Sequence, residues 1–140
     1  MKLVRMELSN FRGYQAHTSL DLGDLTAIVG RNDVGKSSLL DALGVFLEND
    51  LCKLDASDRC VHTPGADVTI SCVFSELPAS LVLDDSATTS LAAEHLLDSD
   101  GHLHIKKVFS GDKLKEEVYA VAVHPTNPAV SDLLSKKQAD

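Results

Sequence analysis

A glycine-rich loop between an apolar run and a helical pattern constrains this chain most strongly. The loop covers residues 30–37 and fits the pattern G-x-x-x-x-G-K-[ST]. The short apolar run at 25–29 predicts a buried strand, and residues 37–47 predict a helix. A strand, a glycine loop and a helix in this order are the context in which the pattern binds nucleotide phosphates. The sequence therefore predicts a nucleotide site at this loop.

The residue types of the loop suit a dense anion. Gly30 and Gly35 allow close approach of the backbone, because they lack a Cβ and tolerate positive φ. The helix start offers unpaired N–H groups and the positive end of a dipole. Lys36 is expected between the β- and γ-phosphates of ATP, and Ser37 is expected to bind Mg²⁺ through its hydroxyl. Ser38 either contacts the α-phosphate region or simply continues the helix. The predicted nucleotide-binding residues of the loop are Gly30, Arg31, Asn32, Asp33, Val34, Gly35, Lys36, Ser37 and Ser38.

Composition narrows the class of protein. A chain of 140 residues, 44% of them hydrophobic, is long enough for one globular domain or part of one. It contains no apolar run of about 18 residues, so the sequence predicts no membrane span. The first residues alternate in polarity and do not resemble a signal peptide, which favours a cytoplasmic location.

The spacing of cysteines and histidines does not indicate a metal site. Cys52, Cys60 and Cys72 are odd in number and lack C-x-x-C spacing, so no disulfide framework is expected either. Cys72 is predicted to lie in the core. His102 and His104 are close enough to suggest a ligand pair, but two ligands do not make a site, and a solvated strand face is favoured.

Charge is distributed unevenly along the chain, whose net charge is −8. Residues 1–40 carry five basic and four acidic side chains, whereas residues 41–140 carry eight basic and seventeen acidic ones. An acidic surface gains nothing from counterion release on a nucleic-acid backbone. DNA contacts are therefore expected only through parts outside this chain.

Hydrophobic periodicity predicts the remaining elements. In the helix after the loop, the predicted core face consists of Leu39, Leu40, Leu43, Phe46 and Leu47. Strands are predicted by alternation over 2–10, 18–22 and 68–74, and as a hairpin over 103–109 and 117–124. The other predicted segments are a bend at Gly13, a loop over 49–67, weak helix over 80–97, a turn at 98–101 and the start of a helix over 131–140.

Two stretches together resemble one family. Residues 6–14, which include Asn10-Phe11-Arg12-Gly13-Tyr14, resemble the opening strand and N-F-R-x-[FY] turn of the SMC/RecF/OLD group of ABC-type ATPases. Residues 30–43 are similar to that group's motif G-x-N-x-x-G-K-S-x-[IL]-[IL]-[DE]-A-[IL]. Asn32 and Asp33 look most like the OLD branch, prokaryotic ATPases fused to a Toprim nuclease domain and used in antiphage defence.

The resemblance implies an α/β fold, that of a P-loop NTPase of ABC/SMC-head type. Residues 1–140 would form the N-terminal lobe of the head, with a mixed sheet and an antiparallel β subdomain. In that reading, strands, P-loop and P-loop helix occupy 1–48, the antiparallel subdomain occupies 67–124, and 129–140 begin a helix of a longer protein.

The resemblance also implies a function. Two heads of a homodimer would enclose two ATP molecules, and hydrolysis in the full-length protein would be coupled to DNA processing, as in an OLD-type ATP-dependent endonuclease. Asn32 would lie beside the γ-phosphate, or is simply a loop residue that tolerates unusual φ. Arg12 would touch the phosphates, or is a solvated charge at a strand end.

The chain lacks the apolar strand ending in Asp-Asp or Asp-Glu that hydrolysis requires in this group, and the catalytic residues stay unassigned. Residues 81–85 come closest in letters, but they lie too near the loop and are interpreted as a decoy. The chain alone is therefore expected to bind a triphosphate weakly and to hydrolyse little.

Two other functions are compatible with the loop. A GTPase or small-molecule kinase would use the same pattern, although the chain lacks an N-K-x-D guanine motif and its tail is antiparallel rather than parallel. A nucleotide-controlled interaction or dimerisation module would need no catalysis of its own. A preference for ATP over GTP would distinguish the ATPase from the first alternative. Mg²⁺-dependent turnover in the intact protein would distinguish it from the second.

Overall fold

The computed structural model describes residues 1–31, 35–84 and 87–123, which contain seven strands and one α-helix. The helix α1 is Lys36–Phe46. The strands are β1 Lys2–Ser9, β2 Thr18–Asp21, β3 Val68–Ser75, β4 Leu81–Asp84, β5 Ala87–Thr89, β6 Leu103–Ser110 and β7 Lys115–Ala120.

Five of these strands form one sheet in the order β2-β1-β3-β6-β7. Every strand pair of the described residues is antiparallel. Met6 of β1 pairs with Leu20 of β2 on one side and with Cys72 of β3 on the other, so β1 has strand neighbours on both sides. The strands β1 and β2 therefore share a sheet with β3, β6 and β7, whereas β4 and β5 form a separate two-stranded sheet.

The strands predicted over 2–10 and 68–74 are confirmed as β1 and β3, although the centre of β3 is buried on both faces. Met6 and Leu8 of β1 and Ile70 and Cys72 of β3 are at most 3% exposed, and all face α1. Burial raises the pKa of the Cys72 thiol to about 12. The predicted hairpin near the end of the chain is also confirmed as β6 and β7, although β7 ends at Ala120 and residue 124 lies outside the described residues.

The predicted core face of α1 is only partly right. Phe46 is buried as predicted, and it is joined by Ala42 and Val45, while Leu39 and Leu43 pack partly buried against the core. Leu40 and Leu47, however, are 62% and 61% exposed. Leucine and valine surround most of this helix, so periodicity alone does not determine which stripe meets the sheet.

The buried strand predicted at 25–29 does not form within this structure. No strand includes these residues, and the side chains of Leu25 and Val29 are 93% and 91% exposed. A strand requires a hydrogen-bonding partner, and no described strand pairs with these residues. The apolar run therefore lies on the surface of the described part of the chain.

The weak helix predicted over 80–97 is wrong for the described residues of this range, which contain no helix and include the small antiparallel hairpin of β4 and β5. The β-branched Thr88 and Thr89 favour extended backbone. Part of the predicted loop 49–67 is also ordered, since Ala56–Asp58 form one 3-10 turn. Asp55 caps this turn by accepting from Ser57 N at 2.9 Å, and Asp58 accepts from Asp55 N at 2.8 Å.

A buried lysine connects the end of α1 to the last hairpin. Lys107 of β6 is 5% exposed and donates to Glu48 at 2.7 Å and to Glu116 at 2.8 Å. Burial lowers the pKa of Lys107, but the hydrogen bonds to the two carboxylates outweigh this effect and raise it overall. The ammonium also lies 5.7 Å from the ring centroid of Phe46.

No helix in the described ranges is long and apolar enough to cross a membrane. The predicted helix over 131–140 and the domain segment 129–140 lie outside the described residues.

Candidate functional site

The glycine loop leads directly into α1, and its last glycine has the backbone geometry that the pattern requires. Gly35 has φ 86° and ψ 12°, a left-handed conformation, and it is the N-cap of α1. Among the described residues no side chain caps the helix start, and the first turn carries no acidic residue. The first N–H groups of α1 and the positive end of its dipole are therefore free of a competing protein anion from these residues.

Lys36 folds back over the loop. Its Nζ donates to the carbonyl oxygen of Gly30 and, at 2.5 Å, to that of Arg31. An ammonium has three donors and no acceptor, so these two carbonyl oxygens hold the positive charge of Lys36 beside residues 30 and 31. Such a charge is mobile on its four-carbon stem and can exchange carbonyl partners for phosphate oxygens.

The two loop serines lie where the helix begins. Ser37 is exposed and Ser38 is half-buried, both in the first turn of α1. The structure describes Gly30, Arg31 and residues from Gly35 onward, whereas the predicted site residues Asn32, Asp33 and Val34 lie outside the described residues.

A tight turn after β1 packs against the start of α1. Phe11 is fully buried, and its backbone exchanges two hydrogen bonds with Tyr14, at 3.1 and 2.8 Å. The predicted turn at 10–14 is therefore present, but the positive φ values fall at Asn10 (57°) and Arg12 (48°) rather than at Gly13. The Tyr14 hydroxyl donates to the Gly35 carbonyl oxygen at 3.2 Å.

Arg12 connects this turn to α1 through two carboxylates. Its Nε donates to Asp58 at 2.7 Å, and one terminal nitrogen pairs with Asp41 of α1. These hydrogen bonds, first to Asp41 and then to Asp58, raise the pKa of Arg12. Its guanidinium carbon also lies 5.1 Å from the ring centroid of Phe11. Arg12 is thus an anchored side chain and not the solvated charge considered above, while a contact with phosphates stays a prediction.

Asn10 also stabilises this turn. Its side chain is buried, donates to the carbonyl oxygen of Ala66 at 2.5 Å and accepts from the Thr63 hydroxyl. The backbone carbonyl oxygen of Asn10 accepts a hydrogen bond from the backbone N of Cys60 at 3.2 Å. The asparagine of the N-F-R-x-[FY] stretch therefore has a structural role in this chain.

Four of these positions are not among the residues predicted to form the site: Asn10, Tyr14, Asp41 and Asp58. The first three lie in the two stretches that carry the family resemblance, so their pattern offers a signal. Asp58 is contributed by the 3-10 turn within a polar loop, and no local periodicity identifies it.

Of the segment 81–85, interpreted above as a decoy, residues 81–84 form β4, whereas residue 85 lies outside the described residues. The strand β4 pairs only with β5 in the described chain, and Val82 is 74% exposed. This strand is therefore not the buried apolar strand from which a magnesium-binding Asp would project.

The turn at 98–101 brings three potential metal ligands together. Single ligand atoms of Asp98, Asp100 and His102 lie within 4.8 Å of one another. The Asp98 carboxylate accepts from the backbone N of Asp100 at 2.9 Å and of His102 at 2.8 Å, so the turn itself accounts for the arrangement. His104 does not lie on a solvated strand face as expected: its side chain is 16% exposed and lies 3.6 Å from Glu7.

Comparison with known proteins assigns the family. Residues 1–140 match the family described as the AAA ATPase domain. The chain is 40% identical over 47 residues to structural maintenance of chromosomes protein 1 of Schizosaccharomyces pombe, covering 33% of this chain and 4% of that protein. It is 42% identical over 48 residues to the Saccharomyces cerevisiae protein of the same name, with the same coverage of each chain.

A bacterial relative extends the similarity further along the chain. An uncharacterized protein of Mycobacterium tuberculosis (strain ATCC 25618 / H37Rv) is 36% identical over 70 residues, 49% of this chain and 8% of that protein. The chain thus spans 4 to 8% of the length of these curated relatives.

The fold has a counterpart among solved structures. It is similar to a chain from a structural study of ATP-driven dimerization and DNA-stimulated activation of SMC ATPases, with a TM-score of 0.58 and 14% identity. The match covers 96% of this chain and 78% of that one. The predicted fold class, the N-terminal lobe of an SMC-type P-loop ATPase head, is confirmed. By its sequence over residues 1–140, the chain belongs to the AAA ATPase domain family.

Proposed function

We propose that this chain binds ATP through residues 30–38 and that Ser37 contributes a ligand to the accompanying Mg²⁺. The observation that carries the proposal is the helix start at Gly35, where the backbone is left-handed, no described side chain caps the first N–H groups, and the Lys36 ammonium bonds only to loop carbonyls among the described residues. Phosphate oxygens would replace the carbonyl partners of Lys36, so that the loop exchanges an internal contact for a ligand contact. Arg31, Asn32, Asp33, Val34 and Ser38 complete the proposed nucleotide-binding loop.

The full-length protein is proposed to hydrolyse ATP as a homodimer of heads. Hydrolysis at such a site depends on positioning and electrostatic stabilisation. This chain supplies the phosphate loop, and the groups that bind Mg²⁺ from a second strand and polarise water would come from the rest of the protein. ATP hydrolysis would be coupled to DNA processing in the cytoplasm. The specific function proposed is that of an OLD-type endonuclease or a DNA repair protein.

The exposed apolar side chains support a larger head. Leu25 and Val29, before the loop, are more than 90% exposed, and Leu40 of α1 and the C-cap residue Leu47 are also exposed. An apolar surface of this kind is usually covered by further structure. We therefore propose that, within the complete head, residues 25–29 pair as a strand and that Leu40 and Leu47 pack against further parts of the protein.

A Lys36→Ala substitution in the full-length protein tests the proposal. Loss of a charge-assisted contact should weaken ATP binding by about ten- to a hundredfold, equivalent to about 1.5–3 kcal/mol. Lys53→Ala is a matched control, because Lys53 is an exposed lysine beyond the end of α1. Titration calorimetry with ATP and Mg²⁺ measures both variants. Equal affinity of the Lys36→Ala variant and wild type would refute nucleotide binding at this loop.

A second candidate function is a nucleotide-controlled dimerisation module without catalysis. The exposed position of β4 favours it, because the described residues then lack a strand suited to hydrolysis. The two functions differ in Mg²⁺-dependent release of phosphate by the full-length protein. ATP-dependent dimerisation without phosphate release would support the module, whereas turnover that is lost with Lys36→Ala would support the ATPase.

A further inference from the structure

The ring of Tyr14 lies directly on the last glycine of the loop. A Cβ built on Gly35 would lie 3.2 Å from the Tyr14 Oη and 3.3 and 3.4 Å from its Cε2 and Cζ atoms. The hydroxyl donates to the Gly35 carbonyl oxygen at 3.2 Å, and the same oxygen accepts from Leu39 N at 3.2 Å. The backbone of Gly35 is thus held by a ring on one side and by two donors at its carbonyl.

These contacts fix the direction of the next amide. The peptide unit between Gly35 and Lys36 is planar and trans, so its N–H points opposite to its C=O. Donors that hold the Gly35 oxygen therefore also orient the N–H of Lys36. As the first N–H of α1, it points out of the helix toward the loop and has no partner within the helix.

We propose that Tyr14 is a positioning residue of the phosphate site, because it orients the Gly35–Lys36 peptide whose N–H receives a phosphate oxygen. The inference rests on the proposed function, ATP binding at the loop. It deepens that function by assigning part of the phosphate affinity to a side chain that touches no phosphate. The ligand chemistry concerned is the polyphosphate chain and not the base.

The turn that carries Tyr14 is itself held firmly. Phe11 anchors it in the core, and Arg12 from the same turn pairs with Asp41 further along α1. The turn therefore contacts the helix at two points, Gly35 and Asp41. Burial raises the pKa of Tyr14, so its hydroxyl keeps its proton and stays a donor at neutral pH.

Tyr14→Phe in the full-length protein removes the hydroxyl and keeps the ring. Loss of one neutral hydrogen bond should weaken binding of ATP by about two- to tenfold. Inorganic tripolyphosphate, used as a second probe, should lose affinity by the same factor, since it lacks a base. Tyr119→Phe is the matched control, because Tyr119 is an exposed tyrosine on β7 that bonds Glu117 at 2.7 Å.

A merely structural role of Tyr14 would be visible in a different measurement. It would lower the melting temperature without nucleotide and leave the affinity of the folded protein unchanged, and this result would overturn the inference. Unchanged affinity for both probes, or an equal loss in Tyr119→Phe, would also overturn it. If Lys36→Ala weakens binding and Tyr14→Phe does not, only the role of Tyr14 fails. If wild type binds neither probe, the proposed function fails together with it.

Discussion

Replacement of Asn10 by alanine should destabilise the turn that connects β1 to the start of α1. Asn10 is 4% exposed and has φ 57°, and its side chain bonds Ala66 and Thr63. Loss of two buried hydrogen bonds costs about 2 kcal/mol in the free energy of unfolding. Alanine in a left-handed conformation adds about 1 kcal/mol, because its Cβ is crowded there whereas asparagine tolerates it. The expected total is about 3 kcal/mol.

Asn10→Gly separates the two contributions. Glycine also loses both hydrogen bonds but adopts positive φ without strain, so its expected cost is about 2 kcal/mol. Gln15→Ala is a control in the same turn, since Gln15 is exposed, and should change stability by less than about 0.5 kcal/mol.

The assay is a urea titration followed by hydrogen-exchange mass spectrometry on peptides covering residues 10–15. This readout reports the local unfolding free energy of the turn itself. A cost below about 1 kcal/mol for Asn10→Ala would contradict the assigned hydrogen bonds. Equal costs for the alanine and glycine variants would contradict the backbone contribution.

Two further predictions concern the core. Because burial raises the pKa of Cys72 to about 12 from an ordinary value of 9.0, its thiol should resist alkylation at pH 8 in the folded protein, while the half-buried Cys52 reacts first in a mass-spectrometric time course. Equal labelling rates of the two thiols would contradict the burial of Cys72. The stability contributed by the protonated Cys72 thiol is complete below pH 9 and should fall as pH rises toward 12, by up to about 1.4 kcal/mol per pH unit. Gly44→Ala should lower the melting temperature despite a helix-propensity gain of about 1 kcal/mol, because its Cβ would lie 2.4 Å from the Cys52 Sγ. Gly13→Ala, whose Cβ meets no heavy atom within 4 Å, is the control for this change, and a Gly44→Ala variant as stable as wild type would refute the steric clash.

The sequence predicts those parts of the fold that are determined by residues close together in the chain. The alternating residues predict the strands β1 and β3, and the glycine loop predicts the start of α1. In β3, however, Ser71 and Val73 on the second face are also buried. The left-handed backbone of Gly35 follows from the same pattern, because only glycine adopts it without strain.

Other features depend on partners that local patterns do not reveal. The run at 25–29 has the composition of a buried strand, but burial needs a neighbouring strand, and the described chain places none there. The two carboxylates that hold Arg12 come from α1 and from the 3-10 turn, 29 and 46 residues away in sequence. Such long-range contacts follow from the fold and not from residue spacing.

The order of strands in the sheet also determines how copies of the protein can meet. The edge strand β2 has four residues, and the opposite edge strand β7 begins with Lys115, Glu116 and Glu117. Short edges and edges with exposed charges are poor templates for another chain. Copies of the protein are therefore not expected to join through hydrogen bonds between their sheet edges. Fibre-like growth through the sheet edges is disfavoured, and productive assembly is left to side-chain surfaces.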